Sequence, residues 1–344
     1  MGYYPFGKRL FSNLTHYVRA GDFVVWQLQN AHTINELAFA IGALSHYLGD
    51  SIGHSQAINP ATSVEFPKLK RKFGDSVTYG ESPHGHIRTE FAFDVGELKN
   101  TEFAPPAYLR RIGFRVPRAF LERAFRAVYG FDLGEIVGAA RPALKSYRSS
   151  VRSFIPSFAE AEVVLHGSKF PPHQDDETYR IFAERVTRTN YDRHWKHAYK
   201  GPGVGAHLLA ILVFITPKIG AASDLAIKIP NPETQSAYLR SVNHTVDELA
   251  RILNEMREGQ DPRSITNLDL DTGDPAGLGT YALADEAYAQ LLKRITETPD
   301  PKIPADLKRH LLKYYEDPTP GVTISQSVSH QLGVLRTMKT TEEQ

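Results

Sequence analysis

Apolar residues recur every three or four positions from Ile34 onward (Leu37, Ala38, Ile41, Leu44 and Leu48), the stripe of an amphipathic α-helix. The opposite face carries Phe39, Ala43 and Tyr47, so the helix is predicted to be buried nearly all round. His46, Asp50 and His54 stand on the same helix, each four residues after the last. That spacing stacks side chains one above another. An uncompensated polar group in a core costs about 2–7 kcal/mol. A chain with this segment must therefore bury a helix and also find partners for two imidazoles and a carboxylate. A metal ion is a partner for all three.

Helical periodicity continues through the rest of the chain, and alternating β-branched runs are absent. An all-α fold is predicted, with helices over 118–130, 134–165, 176–200, 234–258, 281–296 and 304–316. Ser82-Pro83 reads as an N-cap followed by proline at the first helical position. It starts a helix that carries His86, Glu90 and, one turn on, Asp94. Asn59 to Glu81, rich in Pro, Gly and Ser, reads mostly as loop. Phe23 to Trp26 is too short for a strand and sits in a helical context. Residues 100–117, with Pro105-Pro106, form a break. It divides a histidine-rich domain over 1–117 from a helical region of unknown role over 118–344. Thr340 to Gln344 reads as a frayed tail.

Forty basic and 39 acidic residues leave a net charge of +1, so no global field draws the chain to nucleic acid. The run Lys68-Leu69-Lys70-Arg71-Lys72 reads as a solvated face. The first ten residues lack the apolar core of a signal peptide. The longest apolar run, Leu208 to Ile215, is too short to span a bilayer. A soluble chain with no transmembrane segment is the reading. Its location stays open, since secretion or a periplasmic address would need a leader upstream of Met1.

Zero cysteines exclude disulfides and thiolate metal sites, which leaves imidazole and carboxylate as metal ligands. Six of the fourteen histidines fall within the first 86 residues, which directs attention there. The joint pattern H-x3-D-x3-H (His46, Asp50, His54) with H-x3-E (His86, Glu90) is less ordinary than either part. His16, in Thr15-His16-Tyr17, adds a third chain segment. His84 faces away from His86 on a helix and reads as supporting or structural. His32 has no ladder partner. His194 and His197, beside Trp195, read as surface residues.

These residues resemble the zinc-dependent phospholipase C and P1-type nuclease superfamily. The H-Y-L-G-D motif of its bacterial enzymes is matched by His46-Tyr47-Leu48-Gly49-Asp50. The resemblance implies that His46 and Asp50 bind zinc, with Asp50 bridging two ions. It further implies that His86 and Glu90 bind another ion, and that His16 serves as the upstream ligand. The bacterial phospholipases place their next histidine six residues after the bridging Asp, whereas His54 comes at four. Asp50 to Ser55, D-x3-H-S, is instead similar to glycosylphosphatidylinositol-specific phospholipase D. The resemblance covers about residues 1–95, and nothing diagnostic follows residue 100.

The implied fold is a phospholipase C/P1 nuclease-like helical bundle with additional C-terminal helices. The implied cofactor is Zn2+, more than one ion in the intact family domain. The implied activity is phosphodiester hydrolysis, foremost phospholipase C-like cleavage of phospholipid head groups. A P1-like nuclease and a non-catalytic zinc-stabilised helical module are the alternatives. Sixteen tyrosines and 18 phenylalanines are too scattered to mark a base-stacking pocket. Family members begin with a further segment holding a Trp, a histidine and an aspartate that assists the attacking water. None of these can be placed here, so no catalytic residue beyond the ligands is assigned. The expectation is an N-terminally truncated domain with an open, polar concavity beside His16, His46 and Asp50. At most one or two well-ligated zinc positions and reduced activity would follow.

Overall fold

The structure, a computed structural model, describes residues 9–100, 115–138, 140–186, 202–215 and 227–341. Its described residues are mostly helical with no strand; the only β-type pairings among them are the isolated bridges Leu268–Pro275 and Ile303–Thr340. The all-α expectation holds. The chain divides into two compact units, each gathered from separated stretches. The first takes Met1–Tyr47, Arg115–Tyr147 and Arg251–Gln344; the second takes Leu48–Phe114 and Arg148–Ala250. No helix among the described residues is long and apolar enough to cross a membrane. His194, His197 and the part of the 176–200 helix beyond Val186 lie outside the described residues.

The first unit contains α1 (Arg9–Tyr17), α2 (Ala20–Gln29) and most of α3 (Ile34–Gly53). Later stretches of the chain add further helices that complete its core. Leu14, Tyr17, Phe23, Phe125, Tyr129 and Tyr288 are central to that core, all buried. Between α1 and α2 the chain turns at Arg19, whose φ of 52° is left-handed. The Arg19 guanidinium stabilises this conformation with three partners. It donates to Asp22 (2.6 Å), to the Val128 carbonyl (2.9 Å) and to Asp306. A buried arginine needs such partners, because its charge cannot be left unpaired out of water.

The loop after Ser264 runs against α2. A Cβ added to Gly21 would lie 2.0 Å from the Thr266 carbonyl oxygen, a backbone atom that has no flexible end to swing aside. Gly21→Val is therefore expected to lower stability by about 1–3 kcal/mol or more through overpacking. A denaturant midpoint equal to wild type would show that the loop gives way freely.

In the second unit, α3 runs into a π-helical turn (His54–Ile58). It is followed by α4 (Asn59–Glu65), α5 (Pro67–Phe73) and α6 (Pro83–Asn100). The reading of Asn59 to Glu81 as loop is corrected here. Pro60 and Pro67 fall in the first turns of α4 and α5, where the missing N–H costs nothing and the fixed φ favours the helix. The N-cap at Ser82 is as expected: its Oγ accepts the Gly85 N–H at 3.3 Å, and α6 begins at Pro83.

Three other expectations are corrected. The 134–165 helix is broken at Gly138, whose φ of 77° is left-handed, and again by a π-helical turn at Ser150–Phe154. Thr340 is not frayed, because it is buried and pairs with Ile303. Finally, α3 is not buried all round. Ala40, Leu44, Tyr47 and Leu48 face inward, whereas Ile34 is 90% exposed and Leu37 42%. Periodicity reports which residues can share a face; it does not report whether a second layer covers the other one.

Candidate metal sites

His16 lies at the end of α1, where its Nδ1 is 2.7 Å from the Ser12 carbonyl. A carbonyl only accepts, so Nδ1 carries the proton and the Nε2 lone pair is left outward. That Nε2 lies 3.3 Å from Nε2 of His46, with the two rings edge-on at 80°. Two nitrogens at the zinc bond length of about 2.0–2.1 Å in a tetrahedral site would stand about 3.3–3.4 Å apart. The pair therefore has the separation that a shared zinc requires. Ser12 is the supporting carbonyl partner that fixes tautomer and ring orientation.

His46 is exposed, which follows from the half-covered state of α3. Its neighbour Tyr47 points inward and donates to the Thr266 carbonyl at 2.7 Å. The Leu270 N–H donates to the His16 carbonyl at 3.1 Å, and the Tyr17 hydroxyl donates to Asp271 Oδ2 at 2.8 Å. Tyr281 donates to the same oxygen at 2.6 Å. The loop over residues 266–271 thus clamps the residues beside both histidines. Sequence reading missed this support; the turn-forming run Asn267-Leu268-Asp269-Leu270-Asp271-Thr272-Gly273 was the available signal.

Asp50 follows His46 by one turn of α3, and His54 follows Asp50 by another. At His54 the helix widens: the Asn59 N–H donates to the His54 carbonyl five residues back. Single π turns inside α-helices are frequent at functional sites because they re-aim a side chain. Here the turn accompanies a second group, His54, His86 and Glu90, whose nearest ligand atoms all lie within 4.8 Å of one another. The rings of His54 and His86 meet edge-on at 4.8 Å.

His86 is almost fully buried, and its Nδ1 has no hydrogen-bond partner among the described residues. Burial, helped by His54 and opposed by Asp50, pushes its pKa down to about 3. It is therefore a neutral imidazole at physiological pH, the form that binds a metal. An orphaned buried nitrogen costs stability unless something pairs with it, and in this donor set a zinc ion fits. His86 is buried because α4 and α5 close over the first turn of α6. Gly85 permits this, since a Cβ there would sit 2.7 Å from Leu69 and 3.3 Å from Thr62 side-chain atoms. Thr62 Oγ1 donates to Thr89 Oγ1 at 3.1 Å and ties α4 to α6. Glu90 is exposed, one turn past His86, and His84 is exposed and outside this group.

The six sequence-derived candidates are thus distributed as His16 with His46 in the first unit, and His54, His86 and Glu90 in the second. Asp50 lies between them along α3, its charge acting on His86. Residues 1–130 match the family model described as zinc dependent phospholipase C. The comparison with curated proteins found no match, and the comparison with solved structures found none either.

Proposed function

Because residues 1–130 match the family model of zinc-dependent phospholipase C, we propose that this chain hydrolyses phosphodiesters with zinc, foremost the head-group ester of phospholipids. His16, His46, Asp50, His54, His86 and Glu90 are its proposed ligands. The convergence of His54, His86 and Glu90, with the buried and unpartnered Nδ1 of His86, is the observation that carries this reading. Bound zinc supplies a Lewis acid for a phosphoryl oxygen and acidifies water from a pKa of 15.7 to about 7 in the best case.

The protein's own residues hold and orient. Ser12 keeps the His16 proton on Nδ1, so that Nε2 stays a lone-pair donor. Burial keeps His86 unprotonated. Asp50 brings negative charge to bear on His86, which would favour a cation held there. Within the second unit, Glu90 is exposed, which leaves its side of that ligand group open to a substrate phosphate.

The test is the metal content of the purified chain together with turnover of a generic phosphodiester ester. Zinc should co-purify, and a chelator should abolish turnover that added zinc restores. Short-chain phosphatidylcholine should then be cleaved in preference to single-stranded oligonucleotide. Zinc retained without turnover would point to a non-catalytic helical module, and the reverse substrate order to a nuclease.

A further inference from the structure

The basic run at Lys68 to Lys72 has no part in metal binding, yet the fold places it beside the second ligand group. It forms α5, whose Leu69 packs onto Gly85, the residue before His86. Lys68, Arg71 and Lys72 point to solvent and make no ion pair with described residues; Lys70 is paired with Asp75 at 2.7 Å. Two further cations converge nearby. Arg88 of α6 lies 4.9 Å and Lys228 5.7 Å from the centre of the Phe66 ring, the residue that opens α5. Val64, two residues before Phe66, and Ile87, next to Arg88 in the chain, are each 37% exposed. In a chain whose net charge is only +1, this is a local excess of positive charge with apolar side chains among it.

We propose that this face of the second unit, built on α5 and the first turns of α6, docks on an anionic lipid surface. The proposal rests on the phospholipid reading above and says how substrate reaches that site. Cations of this kind gain from the negative potential of anionic lipid, while exposed Val64 and Ile87 enter the headgroup boundary. Ile87 precedes Glu90 by three residues, just under one turn of α6, so a bilayer that takes up Ile87 would bring headgroup phosphates towards the edge of the ligand group.

Co-flotation with vesicles tests this, comparing phosphatidylcholine alone with phosphatidylcholine containing phosphatidylserine. The chain should bind the anionic vesicles preferentially, and added salt should weaken binding. The triple variant Lys68→Gln/Arg71→Gln/Lys72→Gln should lose affinity about fivefold per residue, on the order of 100-fold in all. The control Arg309→Gln/Lys313→Gln/Arg336→Gln, also at exposed positions, should bind as wild type. Equal loss in both triples, or none in the first, overturns the proposal. So does patch-dependent binding of a single-stranded oligonucleotide with no binding of vesicles. A soluble phosphodiester ester separates the two readings. Its turnover should survive in the patch variant, while vesicle binding without any turnover would retain the surface and reject the hydrolase.

Discussion

Asp50→Asn is expected to strip metal and activity together while leaving the helix intact. Asparagine has nearly the same shape, so the inward residues Leu44, Tyr47 and Leu48 keep their packing. What changes is charge: one of two anionic oxygens becomes an amide that donates instead of accepting. Asp50 stands one turn from His46 and one from His54, and its charge is felt at His86. Loss of a supporting partner typically costs 10–100-fold in metal affinity or activity, so loss of Asp50 as the proposed ligand should cost about 100-fold or more. Zinc per chain and turnover of a soluble phosphodiester should fall together, with the helical circular dichroism unchanged. His84→Ala, at an exposed position outside the ligand groups, should keep both. Full zinc and full turnover in Asp50→Asn would remove this residue from the metal chemistry.

Tyr129→Ala is the second large effect, on stability of the first unit. Tyr129 is fully buried, with its ring centre 4.6 Å from that of Phe125 and 5.6 Å from that of Phe23. Its hydroxyl lies 3.1 Å from the Leu14 carbonyl and 3.0 Å from that of Val18, donating to the chain on either side of His16. Truncating a buried aromatic residue to alanine costs about 3–5 kcal/mol. That is a large share of the 5–15 kcal/mol typical of a whole domain. Tyr129→Phe keeps the ring and loses only the hydrogen bonds, so it should cost nearer 1 kcal/mol. Denaturant titration of both variants gives the comparison. A Tyr129→Ala midpoint equal to that of Tyr129→Phe would mean that the ring packing contributes little.

The candidate metal ligands and the helices that carry them were legible because both depend on local spacing. Four-residue intervals at His46, Asp50 and His54, and at His86 and Glu90, define helical faces whatever surrounds them. Ser82-Pro83 likewise marks a helix start through backbone chemistry confined to one turn. Absence of cysteine decided which atoms could serve as ligands. Spacing also showed that α3 has apolar residues on two faces, but not that Ile34 and Leu37 stay uncovered.

Tertiary structure decided what depends on distant stretches of chain. Helix α1 and the 266–271 loop are separated by some 250 residues, and no periodicity announces that Leu270 and Asp271 hold the end of α1. The interleaving of residues 1–47, 115–147 and 251–344 in one unit is equally silent in the sequence. The pairing of His54 with His86 depended on Gly85 admitting Leu69, and the widened turn at His54 accompanies it. The physical reason is the same in each case. Local interactions choose a helix and its faces, whereas packing chooses which face is buried, and it acts between atoms that sequence order does not bring together.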